Sequence, residues 1–278
     1  MRYLALAALI VAMICPIGAS AAVPPPVFYL PLDGSTVAAV SGGSGEPIRR
    51  ITGDADTILE QLARQRTQFV PGRVGQCLDL GDQPLVYECA GNFRSDEGTA
   101  SFWVNPDWQG DSKALYSTLF GAADWGMVYK YEDQSSLTFG TAKPDKDLYY
   151  DCGGGDLSAW RPGQWHHVVA TWSRQQAARC LYLDARLIGK GPFPFAREVK
   201  SGPLFVGAGC TLYPNPTAHA KLDEFALWDK PLEAAAVQEL FTLGNAGQPL
   251  HGVTQGPPPM PDGTVRLATG VSPTPPDS

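Results

Sequence analysis

Charge and histidine are scarce in this 278-residue sequence, and internal repetition is missing from it. Charged residues make up 18%, there are four histidines, and the formal net charge is −7. A disordered polyelectrolyte needs far more charge, and a general nucleic-acid binder needs a basic balance, so both classes are excluded. No Cys-x-x-Cys and no close Cys/His pair is present, which removes the usual zinc sites. There is no Gly-x-Ser-x-Gly elbow, no His-Glu-x-x-His and no phosphate-cradling loop. The apolar run Leu4–Ile14 is too short to cross a bilayer of roughly 30 Å as a helix, and no later run is long enough.

Turn formers are abundant instead, with 30 Gly and 25 Pro. That favours a turn-rich β protein over a helical bundle. At the N-terminus Arg2 precedes an apolar run from Leu4 to Ile14, then Pro16 and Gly18, then Ala19-Ser20-Ala21. This is the order of a secretory signal peptide over 1–21, cleaved near Ala21. Export to the periplasm or the extracellular space is the expected localisation, with no membrane insertion once the signal is removed. Loss of Arg2 moves the net charge to −8, so the mature chain is not steered towards DNA or anionic membranes. Residues 247–278 hold eight prolines and few large apolar groups, and are expected to form a flexible tail. The span 24–246 is left as one domain, long enough for a full β-sandwich core.

Short runs rich in β-branched and aromatic residues recur through that span. They are Val27–Asp33, Gln76–Leu80, Leu85–Cys89, Thr99–Val104, Ser117–Phe120, Met127–Tyr131, Ser136–Phe139, Trp165–Trp172, Cys180–Leu183, Leu204–Val206 and Leu222–Trp228. Turn residues punctuate them about every ten positions, as in a sandwich or barrel. Alternation along 165–172 puts Trp165, His167, Val169 and Thr171 on one face and His166, Val168, Ala170 and Trp172 on the other. Two segments carry helical periodicity: Asp54–Arg66, and Leu232–Leu243 with Pro231 before it and Gly244 after.

Five cysteines survive signal removal: Cys77, Cys89, Cys152, Cys180 and Cys210. Export permits disulfides, but an odd count leaves at least one thiol over, and the connectivity stays open. One pair has a local argument. If 76–89 folds as a hairpin about Gln83, Cys77 lies opposite Cys89 within bridging reach.

Six segments in order form a recognisable pattern: Phe28-Tyr29-Leu30-Pro31-Leu32-Asp33-Gly34, Pro71-Gly72-Arg73-Val74-Gly75-Gln76, Phe102-Trp103-Val104-Asn105-Pro106, Gly163–Trp172, Leu181-Tyr182-Leu183-Asp184 and Leu222–Trp228, followed by a closing helix. With these the chain resembles the laminin-G-like jelly-roll domains of the concanavalin A-like lectin/glucanase superfamily, over about 28–244. The resemblance implies an all-β fold, a two-sheet antiparallel jelly-roll sandwich with a short C-terminal helix. One departure is Asp184-Ala185, where the family usually has Asp-Gly. Glucanases of the superfamily carry Glu-x-Asp-x-x-Glu on one strand, and no Glu in this chain has an acid two positions on. The resemblance also implies a structural Ca²⁺ where the N-terminal and penultimate strands lie side by side, with Asp33 and Asp223 as candidate ligands.

His166 and His167 are adjacent on a strand, so they face opposite ways and are expected to be structural. Aromatics in or near loops are the candidate sugar-stacking residues: Trp108, Trp125, Tyr129, Tyr131 and Trp160, with Tyr149 and Tyr150. The expected function is a secreted, non-catalytic module that binds a carbohydrate or cell-surface glycoconjugate. The alternatives are a structural or adhesion domain that binds a protein partner, and an atypical polysaccharide hydrolase or lyase built from Asp124, Glu132, Asp133 or Asp151.

Overall fold

The computed structural model describes residues 23–48, 68–81, 83–113, 115–143, 149–193, 197–210 and 217–250, without the side chains of 149–151. The expected signal segment 1–21, the helix expected at 54–66 and residues 251–278 lie outside the described residues. In chain order the strands are β1 (Phe28–Leu30), β2 (Val40–Ser41), β3 (Gln68–Pro71), β4 (Gln76–Asp79), β5 (Leu85–Glu88), β6 (Glu97–Pro106), β7 (Ser117–Ala122), β8 (Gly126–Lys130), β9 (Leu137–Ala142), β10 (Tyr149–Gly154), β11 (His166–Ser173), β12 (Ala178–Leu183), β13 (Arg186–Pro192), β14 (Pro203–Val206) and β15 (Ala220–Trp228). One helix, α1 (Ala234–Asn245), closes the described chain.

The strands form two antiparallel sheets. The larger runs β13-β12-β11-β6-β15-β1-β2, and β4 joins it beside β15 and carries β3. The smaller runs β10-β9-β8-β7-β14-β5. Alternation decides what each face meets. From the larger sheet Ala100, Phe102, Val104, Val168, Ala170 and Trp172 point inward, and from the smaller sheet come Phe120, Val128, Phe139, Leu204 and Val206. These groups merge into one core between the layers, as in other stacked sheets. Trp125 lies deep inside it, 4.9 Å from Phe93 and 4.9 Å from Trp172 by ring centroids.

The outer face of the larger sheet is also covered. Tyr29, Val169, Ala226 and Trp228 meet Leu232, Ala236, Val237 and Leu240 of the helical segment and Leu250 beyond it. The helix lacks a side-chain N-cap. Its approach is fixed instead by Thr99, whose Oγ1 donates to the Lys230 carbonyl and accepts from the Leu232 N–H, both at 2.8 Å. Leu250 falls within the stretch expected as a tail, yet it is buried here.

The expected hairpin at 76–89 does not form. β4 pairs with β3 and β15 in the larger sheet, whereas β5 pairs with β14 in the smaller one. The turn at Gly81 carries the chain between layers. Cys77 therefore sits on the outer side near Asp223, and Cys89 sits inside the sandwich. No disulfide is seen among the described residues, and Cys77 and Cys89 are both unbridged, which corrects the Cys77–Cys89 bridge. A symmetric spacing about a turn looks the same in sequence whether the chain folds back on itself or crosses to the other sheet.

Candidate binding site

The last strand departs from regular pairing next to the acids singled out in the sequence. Asp223 pairs with Trp103 and Ala226 with Ser101, so β15 spends an extra residue over that step. This is a β-bulge, and Glu224 within it has φ 52°. The bulge keeps Phe225 in the core while both Asp223 and Glu224 are held away from it.

Each acid has a structural task. The Asp223 Oδ2 accepts from the Arg73 and Val74 N–H groups at 2.7 and 2.9 Å. The Asp33 Oδ1 accepts from the Gln76 N–H at 2.6 Å. Two carboxylates thus hold the turn 72–76 by three backbone donors. Gly75 is required there, because its φ is 56° and a Cβ would run into the Asp33 carboxylate. Calcium needs six to eight oxygens. Among the described residues no group of three or more His, Cys, Asp or Glu is gathered as a metal site. One oxygen of each of Asp33 and Asp223 is on backbone N–H groups, and the Asp223 Oδ1 is buried with no hydrogen-bond partner.

Glu224 accepts from the Tyr29 hydroxyl at 2.7 Å through Oε2, and its Oε1 has no partner. Burial pushes its carboxyl up to about 8 and that of Asp223 up to about 7; the N–H bonds at Asp223 oppose the rise. Glu224 lines a pocket between the larger sheet and α1 with Ser101, Trp103, His167, Trp228 and Gln248 among its walls. Its empty space is about 270 Å³, counting the part open to solvent. Ser101 Oγ and His167 Nε2 are 2.8 Å apart there. Burial drives His167 down to about 3, so it is neutral.

The neighbouring His166 turns the other way, as alternation requires. Its Nδ1 is 2.9 Å from the Asp184 Oδ2, and its ring stacks on Trp160 at 4.1 Å. Trp160 in turn stacks on Trp108 at 5.7 Å. Trp108 and Trp160 are therefore buried in a packed ladder, and Trp125 belongs to the core. None of the three offers an open ring face to a sugar. Three indoles provide large apolar area, and packing takes them.

Tyr129 and Tyr131 behave differently. Two residues apart at the end of β8, they share the outer face of the smaller sheet. Tyr116 lies across from them, with its ring 5.5 Å from Tyr129 and 5.4 Å from Tyr131. Tyr129 is buried at the base beside Met127 and Cys210, whereas Tyr131 is 43% exposed. Tyr116 was not singled out in the sequence. Extending the β7–β8 register, in which Ser117 faces Lys130, by one step places it opposite Tyr131.

Lys130 fixes this group. Its side chain is buried, and Nζ donates to the carbonyls of Ser112, Leu115 and Tyr131 at 2.7, 3.2 and 3.2 Å. Burial lowers its pKa, and Asp111 and Asp133 counter that. One cation thus ties the loop before Tyr116 to the strand end that carries Tyr131, so the rings are ordered before any ligand arrives. Of the acids considered for hydrolysis, Asp124 pairs with Arg197 at 2.5 Å. Glu132 and Asp133 are exposed next to Tyr131. The side chain of Asp151 lies outside the described residues.

Two face-to-face antiparallel sheets with a closing helix define a lectin-like sandwich. Residues 81–238, more than half of the chain, match the Laminin_G_3 model of the concanavalin A-like lectin/glucanases superfamily, and the chain belongs to that family. No curated protein matches the sequence. Among solved structures it is similar to the botulinum neurotoxin serotype D binding domain (TM-score 0.55, 12% identity, 78% of this chain and 51% of that one). It is similar to the serotype D ligand binding domain in complex with N-acetylneuraminic acid (TM-score 0.50, 10% identity, 64% and 45%). A third is the binding domain of Paraclostridial Mosquitocidal Protein 1 (TM-score 0.50, 16% identity, 63% and 45%). The chain spans about half the length of these structures, and identities this low establish the shared fold alone.

Proposed function

We propose that this chain is an exported, non-catalytic carbohydrate-binding module that holds its glycan against the tyrosine face of the smaller sheet. The observation that carries this reading is the ordered trio Tyr116, Tyr129 and Tyr131, with Tyr131 open to solvent and the Lys130 amine pinning the surrounding backbone. An exposed ring on a rigid base stacks on a pyranose at little entropic cost. A neighbour of the same fold solved with N-acetylneuraminic acid supports carbohydrate as the ligand class without fixing the charge of the sugar. Against hydrolysis, the acids are distributed into separate tasks: Asp124 in an ion pair, Asp33 and Asp223 on backbone N–H groups, Glu224 buried against Tyr29. Hydrolysis needs two mutually oriented carboxyls flanking a bond. Export rests on the N-terminal sequence.

Calorimetric titration against a panel of oligosaccharides tests the reading. The wild type should bind at least one, and Tyr131→Ala should weaken that binding by tenfold or more. Silence across the panel would overturn it.

A further inference from the structure

We infer that the tyrosine face selects uncharged glycans and rejects those bearing carboxylates; this rests on the reading above and narrows its ligand class. The argument is the distribution of charge around Tyr131. Glu132 and Asp133 follow it directly and are exposed. Asp111 is exposed in the loop that Lys130 pins, and it and Asp133 both act electrostatically on the Lys130 amine. Asp156 is exposed beside the same rim, because the Leu157 N–H bonds the Ser135 carbonyl at 2.8 Å.

The cations nearby do not balance these acids. Lys130 is buried, with its amine on three backbone carbonyls, so it offers no free donor to a ligand anion. Arg161 spends Nη1 on the Ser158 and Trp160 carbonyls at 2.6 and 2.8 Å. Lys221 is held by Asp107 and Asp79. Among the described residues Lys113 and Arg161 are exposed, and with the buried Lys130 they set three positive charges against four acids, which leaves the rim negative. A sugar carboxylate stacked at Tyr131 would approach an excess of like charge within about a Debye length, which opposes its lost hydration being recovered. A neutral pyranose meets the same tyrosine rings with neither cost, and its hydroxyls can donate to the rim carboxylates, which are strong acceptors.

The test uses matched probes: neutral oligosaccharides such as N-acetyllactosamine and xylohexaose, and their sialylated and glucuronidated counterparts, titrated at 20 mM and 500 mM NaCl. The neutral member of a pair should bind at least tenfold tighter at low salt, and the gap should shrink at high salt as the repulsion is screened. Glu132→Gln combined with Asp133→Asn should raise the affinity for the charged member severalfold. Asparagine suits position 133, where φ is 64°. Equal affinity for both members, or tighter binding of the carboxylated one, would overturn the inference and leave carbohydrate binding intact. Binding of no probe would overturn both.

Discussion

Replacing Glu224 by glutamine isolates one buried-charge effect that acts near neutral pH. Its folded pKa is pushed up to about 8 by burial, against an ordinary carboxyl value near 4.3. A carboxyl raised in this way stabilises the fold at low pH and loses that contribution as pH rises through its folded pKa. His167 acts with the opposite sign. Its folded pKa is depressed to about 3, so its contribution is complete above about 6.5 and is lost on acidification. Between pH 6.5 and 8, therefore, His167 is silent and the acids act alone. Integrated over that window, a group with these values costs about 2 kcal/mol. For a domain of this size that corresponds to roughly 4–8 °C in Tm. Glutamine keeps the shape and still accepts from the Tyr29 hydroxyl, but it has no proton to lose. Thermal unfolding followed by circular dichroism at pH 6.5, 7, 7.5 and 8 should show the wild type falling across the series. Glu224→Gln should retain only the part due to Asp223, whose carboxyl is pushed up to about 7, less than half of the Glu224 effect and concentrated at the lower end of the series. A flat wild-type profile, or equal slopes in both proteins, would refute the assignment of a buried, protonated Glu224.

Two further outcomes follow from local geometry. Asp184 and Ala185 occupy the β12–β13 turn with φ 48° and 63°, a left-handed pair in which alanine is strained; Ala185→Gly should raise stability by about 1 kcal/mol in chemical denaturation. Lys130→Met would leave three carbonyls without their donor, so it should cost about 3 kcal/mol. It should also weaken glycan binding through the loosened Tyr116 and Tyr131.

Periodicity made the layers legible. Alternation along 165–172 assigned Val168, Ala170 and Trp172 to the core and separated His166 from His167, because one residue per step changes the face whatever the tertiary context. The ordered motifs indicated the family, and the turn 71–76 is explained by the carboxylates that anchor it. Long-range choices were not legible. Which sheet β5 joins depends on β14, more than 100 residues away, so the Cys77–Cys89 spacing was misleading. The strands β10 and β13 were missed because Gly153, Gly154, Gly189 and Gly191 dilute their pattern. Indole positions near loops looked available for stacking, but Trp108, Trp125 and Trp160 are each consumed by other rings. Tyr116 carries no signal of its own until the β7–β8 register puts it beside Tyr131.

Mapping the contact surface of a bound neutral oligosaccharide by NMR, with ring-labelled tyrosine and tryptophan, addresses the proposed site directly. The shifts should concentrate on Tyr116, Tyr129 and Tyr131 and leave Trp103 and Trp228 unmoved. Perturbations centred on Trp103 and Trp228, beside the pocket under α1, would contradict the assignment of the binding face.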